Sequence, residues 1–436
     1  MTIPEIYTRF QQNPVISTDS RNCPLGCLFF ALKGANFNAN AFAKSAIDNG
    51  AAYAVVDQAE FAIDERYILV SDTLQCLQQL ATYHRKQLGT TIVGITGTNG
   101  KTTTKELIAA VLTRKYKVLY TQGNLNNHIG VPLTLLQLSA EHEMAVVEMG
   151  ANHIGDIKEL AEIACPDYGI ITNVGKAHLE GFGSLEGVKR TKAELYESIL
   201  ANGKLIFVNA DNQHLAEMAQ RSGFDTKNQQ YKYSLLNAVD AKVSATIVSC
   251  SPFLKMNCET SEGENFEVAT QLVGSYNAEN VLAAVTIGHY FGVSTSDIKN
   301  GLETYTPQNN RSQLTITERN KLVVDAYNAN PTSLRAAIEN FAQMEVDSKM
   351  LLLGDMLELG EQSELEHQAI VDLLISKNLT HVKLVGEQFC KTKNAFDCFK
   401  TVDDLIIELS NHKINDYYIL IKGSRGIKLE KLIPIL

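Results

Sequence analysis

Thr91-Ile92-Val93-Gly94-Ile95-Thr96-Gly97-Thr98-Asn99-Gly100-Lys101-Thr102-Thr103-Thr104 reads as a strand that passes through a glycine-rich turn into a helix. The run 91–96 is apolar, and Leu107, Ile108, Val111 and Leu112 place a second apolar stripe on one helical face. Glycines in such a turn let successive backbone N–H groups converge on phosphate oxygens, and the helix N-terminus adds positive potential. Gly97, Thr98, Asn99, Gly100, Lys101, Thr102 and Thr103 are therefore expected to hold a nucleotide. Lys101 would reach the outer phosphates, and the Thr102 hydroxyl suits Mg²⁺. The strict G-x-x-x-x-G-K-[ST] spacing is not met, since Ile95 stands at the first glycine position. A glycine turn that binds nothing is the plainer alternative, and Gly-Lys-Thr at a strand-to-helix switch disfavours it.

The pattern around this loop gives an α/β fold in three domains. Residues 1–85 alternate short apolar runs with helical stretches and form a small α/β domain, with Gly50 expected to close one of its helices. Residues 86–311 carry apolar runs at 91–96, 144–149, 168–172 and 205–208, which predict a central, mainly parallel sheet; alternation over 241–272 predicts an antiparallel appendage. From 312 the pattern restarts, with a strand at 321–326, a helix at 331–344 opened by Pro331, a strand at 350–353, a helix at 364–376 and two more strands. Residues 312–436 thus form a C-terminal, Rossmann-like α/β domain.

Composition narrows the function. The 39 Lys and Arg against 49 Asp and Glu leave a net charge of −10, which gives no extended basic face for a nucleic acid. No apolar run approaches the ~20 residues that span a bilayer, and Met1-Thr2-Ile3-Pro4-Glu5 shows no basic segment leading into an apolar one. A cytoplasmic monomer without nucleic-acid or membrane partners is expected. The eight cysteines show no Cys-x-x-Cys or zinc spacing, so reduced thiols are expected.

Further segments join the loop: Gly123-Asn124-Leu125-Asn126-Asn127, Val147-Glu148-Met149-Gly150-Ala151-Asn152-His153, Ala177-His178-Leu179-Glu180-Gly181, Asp325-Ala326-Tyr327-Asn328-Ala329-Asn330-Pro331, Gly354-Asp355-Met356-Leu357-Glu358-Leu359-Gly360 and Lys422-Gly423-Ser424-Arg425-Gly426. In this order, essentially end to end, they resemble the ATP-dependent Mur ligases, which join an amine to a carboxylate. The sequence most resembles the branch that adds D-alanyl-D-alanine to UDP-N-acetylmuramoyl-tripeptide in peptidoglycan precursor synthesis, and it lacks the Asp-Asn-Pro-Arg string of the diaminopimelate-adding branch.

The resemblance implies ATP, two Mg²⁺ ions, and the UDP-tripeptide and dipeptide as substrates, joined through an acyl phosphate. It makes Lys101, Glu148, His178 and Lys192 catalytic. Thr102, Glu148, His178 and Lys192, the last as a CO₂-derived carbamate, become the metal ligands. Without the resemblance, Lys192 reads from charge as part of a solvated helix face and His178 as a structural hydrogen-bonding residue, while Glu148, at the end of an apolar strand where a sheet meets its ligand crevice, reads as a Mg²⁺ ligand with a solvated strand-end carboxylate as the plain alternative. Asn277 and Asn280 match adenine-side positions, with helix capping as the plain alternative. Arg311 and Asp325 match positions that hold ATP from the third domain, with a surface ion pair as theirs. Substrate contacts are implied for Ser20, Arg21 and Lys33 in a UDP-sugar-binding first domain, for Asn124, Asn126 and Asn127, and for Tyr327, Asn328, Asn330, Ser424 and Arg425 in a third domain that closes over ATP and binds the amine. Asn38-Ala39-Asn40-Ala41-Phe42 stands where the family carries Asp-Gly-His before Phe. A folylpolyglutamate synthase and a non-catalytic ATP switch are the rival readings.

Overall fold

The computed structural model describes residues 1–177, 179–201, 205–224, 229–308 and 310–436. Its centre is the buried strand Thr91–Thr96, flanked in parallel by Met144–Glu148 on one side and Tyr168–Ile171 on the other. The next strand in the chain, Val118–Tyr120, lies beyond the first neighbour, whereas Leu205–Asn209 and Gln230–Ser234 lie beyond the second. Strand order therefore reverses at Thr91–Thr96, and in open α/β sheets ligands bind at that reversal, outside the carboxyl ends of the strands. The register is consistent with this: Ile95 lies opposite Glu148 and Thr96 opposite Ile171, so the glycine turn leaves the sheet level with both neighbouring strand ends.

The strands Val243–Ser249, Phe253–Thr260 and Asn265–Val273 continue the same sheet as antiparallel ribbons. Two larger sheets frame it, beside a short antiparallel pair of Lys33–Gly34 and Phe37–Asn38. Residues 16–69 hold four parallel strands, and residues 313–422 hold six, of which only the edge strand Gln313–Ile316 runs antiparallel. Several helices begin and end at residues suited to cap them. Asp72 caps Thr73–Leu88 by accepting from the Gln75 N–H at 2.8 Å, and Gly89 closes that helix at φ +67°. Asn330 and Ser333 form a reciprocal cap on Pro331–Gln343. The helix expected to stop at Gly50 spans Ala43–Asp48, with Gly50 just beyond it at φ +113°.

The boundary expected at residue 85 falls inside the continuous helix Thr73–Leu88. This helix binds the central domain through Gln78 to Glu159 (2.8 Å), Thr82 to the Ile163 carbonyl (3.0 Å) and Arg85 to Asp167 (2.7 Å). One apolar core accordingly runs from Ile6 and Phe10 to Ile157 and Leu160 across the junction. The expectation of eight reduced cysteines is corrected. Cys390 on Glu387–Lys391 and Cys398 on Asp397–Phe399 form a disulfide, because the intervening turn brings their Cα atoms to 5.6 Å. Among the described residues, no helix is long and apolar enough to cross a membrane.

Candidate functional site

A cavity of about 920 Å³ opens at the strand reversal, with the glycine turn and Glu148 on one wall and Arg311, at the entry to the third domain, and Asp325, Tyr327 and Lys422 of that domain on another. That volume suits a nucleotide-sized ligand with room beside it.

Backbone geometry fixes the turn. Gly97 and Gly100 have φ of +147° and +76°, and a Cβ at either would come within 2.0 Å of Thr172 Oγ1 or 2.4 Å of Asn280 Oδ1. Asn173, which the sequence reading left unassigned, anchors the loop. Its carbonyl accepts from the Thr98 N–H at 3.0 Å and its Oδ1 from the Asn99 N–H at 2.9 Å. The Lys101 ammonium donates to the Gly97 and Thr98 carbonyls at 2.7 and 3.2 Å. Burial lowers the Lys101 pKa, the Glu148 carboxylate opposes that shift, and the Arg311 guanidinium adds to it.

Glu148 is 1% exposed. Its Oε1 accepts from Thr102 Oγ1 at 3.2 Å and Asn126 Nδ2 at 2.8 Å, while Oε2 is buried with no hydrogen-bond partner among the described residues. An unpartnered buried carboxylate oxygen beside a threonine hydroxyl suits a hard, oxygen-seeking cation such as Mg²⁺. Among the described residues, no three His, Cys, Asp or Glu side chains are grouped closely enough to hold a metal by themselves. His178 lies outside the described residues.

The solvated-face reading of Lys192 is overturned, because the residue is 2% exposed. Its helix, Leu185–Ala201, packs on Asp156–Ala164, and Glu194 of the same helix accepts from the Gly155 and Lys158 N–H groups at 2.8 and 2.9 Å. Burial first, then the Lys101 charge, brings the Lys192 amine down to about 7, against Asp156 and Glu194. Lys189 instead lies 3.7 Å from Glu186.

Asn277 and Asn280 line the cavity and also hold its wall. Asn280 Nδ2 donates to Asn277 Oδ1 at 2.9 Å, Asn280 Oδ1 accepts from Thr104 at 3.0 Å, and Asn277 Nδ2 donates to the Val273 carbonyl at 2.8 Å. At the entry to the third domain, Arg311 lies 3.7 Å over the Tyr327 ring, and its buried Nε has no hydrogen-bond partner among the described residues. Asp325 meets Lys422 at 2.6 Å. Lys422 belongs to the Lys422-Gly423-Ser424-Arg425-Gly426 segment, and its place at the cavity becomes evident only when strand Tyr418–Lys422 lies beside Lys321–Val324. Asn330 Nδ2 donates to Asn99 Oδ1 at 2.7 Å, tying the third domain to the glycine turn.

Asn124, Asn126, Asn127 and Asn328 also line this cavity, whereas Ser20, Arg21, Lys33, Lys192, Ser424 and Arg425 do not. Ser424 is 3% exposed, accepting from the Leu357 N–H and donating to the Ala329 carbonyl. Arg425 is exposed, 5.4 Å over the Tyr327 ring. In the first domain, Arg21 pairs with Asp19 at 2.8 Å, Asn49 donates to the Ser20 carbonyl, and Lys33 pairs with the buried side chain of Asp57 at 2.9 Å. Asn38 and Asn40 support that last pair: Asn38 Oδ1 accepts from Asn40, which donates to Asp57 Oδ1 at 2.8 Å. The departure from the family pattern is thus an internal polar network under Lys33.

Three family descriptions match the chain: "Mur ligase family, catalytic domain" over residues 14–85, "Mur ligase middle domain" over 95–288 and "Mur ligase, glutamate ligase domain" over 310–425. The UDP-N-acetylmuramoyl-tripeptide–D-alanyl-D-alanine ligases of Bacillus subtilis and Escherichia coli are each 34% identical to it; the alignments cover 96% and 97% of this chain and 92% and 93% of theirs. MurF from Acinetobacter baumannii superposes with a TM-score of 0.85 at 34% identity over 96% of this chain and 92% of its own. MurF ligase from Thermotoga maritima in complex with ADP gives 0.84 at 25% identity over 97% and 96%. A folylpolyglutamate synthase of Mycobacterium tuberculosis gives 0.60 at 13% identity over 82% of this chain and 95% of its own, a likeness of fold alone. With matches spanning all three domains and identity held over nearly the whole length, the chain belongs to the Mur ligase family.

Proposed function

We propose that this chain is a cytoplasmic, monomeric ATP-dependent ligase that joins D-alanyl-D-alanine to UDP-N-acetylmuramoyl-tripeptide for peptidoglycan synthesis. The observation that carries the reading is the convergence of the glycine turn, the half-satisfied Glu148 carboxylate and the Arg311–Asp325–Lys422 face on one cavity. The full-length likeness to ligases of that name supports the choice of substrates.

In the proposed reaction an oxygen of the tripeptide's terminal carboxylate attacks the γ-phosphorus of ATP, and ADP leaves. The dipeptide amine then attacks the acyl-phosphate carbonyl carbon, loses a proton, and the tetrahedral adduct expels phosphate. Lys101 and the N–H groups of residues 98–102 neutralise charge on the transferring phosphoryl group. Arg311 and Asp325 hold the nucleotide from the third domain, and its closure keeps water from the acyl phosphate. Thr102, Glu148, His178 and a Lys192 carbamate would hold two Mg²⁺ ions, which supply Lewis-acid stabilisation of phosphoryl oxygens. Carbamate formation needs a neutral amine, and a buried lysine held near 7 offers one at physiological pH. Residues 1–85 would bind the UDP-sugar through Ser20, Arg21 and Lys33, residues 86–311 the ATP, and residues 312–436 the amine through Tyr327, Asn328, Asn330, Ser424 and Arg425. Asn124, Asn126 and Asn127 would meet the peptide.

The test is phosphate release over a matrix of UDP-muramoyl peptides and amine acceptors. Release should require ATP, UDP-tripeptide and D-alanyl-D-alanine together. Rapid release from ATP alone, indifferent to both other substrates, contradicts a ligase.

A further inference from the structure

Lys105 is a fully buried lysine one helical turn beyond Lys101, and it is not among the residues lining the cavity. Its ammonium donates to the Thr121 carbonyl at 2.6 Å and lies 3.6 Å from Glu106 Oε1. An apolar side chain of similar length would fill the same space without the cost of desolvating a charge. Packing alone therefore does not account for the ammonium.

What the ammonium grips is the root of a segment that carries much of the site. Thr121 is itself fully buried, its N–H donates to the Val146 carbonyl at 3.0 Å, and its Oγ1 accepts from the Glu148 N–H at 3.0 Å. Five residues on, Asn126 donates to Glu148 Oε1 and accepts from the Gly150 N–H at 2.7 Å. The segment 121–127 is thus fastened to the Met144–Glu148 strand at its root and near its far end, and Lys105 holds the root from the helix Lys101–Leu112. Gly130 leaves no slack behind it, since a Cβ there would come within 2.4 Å of the Leu125 backbone.

We propose that Lys105 is a positioning residue: by holding the Thr121 carbonyl it sets the path of residues 121–127, and so the placement of Asn124, Asn126 and Asn127 against the peptide substrate and of the Glu148 side chain. The kinetic consequence rests on the ligase reading above; the consequence for the free protein does not.

Lys105→Met, a near-isosteric replacement without the donor, is compared with the parent by amide hydrogen exchange of the ligand-free protein and by steady-state kinetics. Exchange should accelerate roughly tenfold over 121–127 and at Gly150 while the rest of the central sheet keeps its protection. KM for UDP-tripeptide should rise about tenfold, with KM for ATP changed less than about threefold. Parental exchange over 121–127 with unchanged KM overturns the proposal, as does an acceleration spread evenly over the sheet. If Lys105→Met does not fold, Lys105→Gln decides, because it keeps a polar side chain in the same space but is one atom shorter, which releases the 2.6 Å grip on the Thr121 carbonyl. Faster exchange at Asn126 and Gly150 supports the proposal, and parental exchange there overturns it. Absence of turnover in the parent protein would defeat the ligase reading and leave the exchange result standing as the test.

Discussion

Lys192 differs from Lys189, three residues earlier on the same helix, chiefly in where the fold puts it: one is buried near Phe182 and Asp156, the other half-buried beside Glu186. A buried ammonium near two Mg²⁺ ions would repel them, whereas a carbamate adds negative charge and two oxygen ligands. Lys192→Ala should lose roughly 100-fold or more in kcat, with its circular dichroism unchanged, and formate or acetate should restore part of the rate. Lys189→Ala should stay close to the parent. Near-normal turnover of Lys192→Ala in bicarbonate-free buffer would remove both the carbamate and its metal. A second residue gives a pH signature. His84 is buried where the first and central domains meet; its Nε2 donates to the Leu138 carbonyl at 2.9 Å, and Nδ1 faces the Tyr7 hydroxyl at 3.1 Å. Burial lowers its pKa below the ordinary histidine value of about 6.5. The folded state then binds fewer protons than the unfolded, so the His84 contribution is complete above pH ~6.5 and is lost as pH falls through the folded value. Melting temperatures measured from pH 8 to 5 should fall less steeply for His84→Gln than for the parent. Parallel curves would show that His84 is not titrating.

At the scale of elements, Asn330 does two things with one side chain. Its Oδ1 caps the helix Pro331–Gln343 through the Ser333 N–H at 2.9 Å, and its Nδ2 reaches Asn99 in the glycine turn. Asn330→Asp keeps the acceptor and loses the donor, so it should melt near the parent temperature while KM for ATP rises about two- to tenfold, the value of one net hydrogen bond. Asn330→Ala should show the same kinetic change and in addition lose about 1 kcal/mol of stability. Equal effects on melting and on KM in both variants would reduce Asn330 to a cap. The same helix shows what the sequence makes legible. Pro331 at its start, the apolar run 91–96 and the Gly-Lys-Thr turn are local signals, and the elements they predict lie within a residue or two of where they fold. Gln230–Ser234 and Gln313–Ile316 went unread because they are short and largely polar, one an inner strand with only its last two residues fully buried and the other an edge. The roles of Asn173 and Lys422 were illegible for a different reason. Each sits at a strand end whose neighbours come from distant sequence, so only the assembled sheet brings them to the cavity. Lys192 was hidden by its mixed-charge surroundings, which concealed that its face of the helix packs inward.

In the whole molecule, the third domain meets the central one through polar contacts beside the cavity, Asn330 with Asn99, Ser275 with Asn340 at 2.9 Å and Lys176 with Glu366 at 2.7 Å, and through Val273 and Tyr276, which pack against its apolar core. The Lys176 side chain is 49% exposed, and an ion pair in such a setting contributes little, about 0–1 kcal/mol. The polar part of that interface can open to admit ATP and be held shut by a nucleotide that bridges Lys101 and Arg311. Scattering of the free protein should therefore give a larger radius of gyration than the complex with a non-hydrolysable ATP analogue and UDP-tripeptide; identical curves would leave no case for closure. The chemistry proposed inside the closed cleft has a direct signature in oxygen atoms, because the carboxylate oxygen that attacks ATP departs with the phosphate. UDP-tripeptide carrying ¹⁸O in its terminal carboxylate is turned over with ATP and D-alanyl-D-alanine, and the released phosphate is analysed by mass spectrometry. One ¹⁸O per phosphate, accompanied by the amide product, is the predicted result; product formed with unlabelled phosphate would contradict ligation through an acyl phosphate.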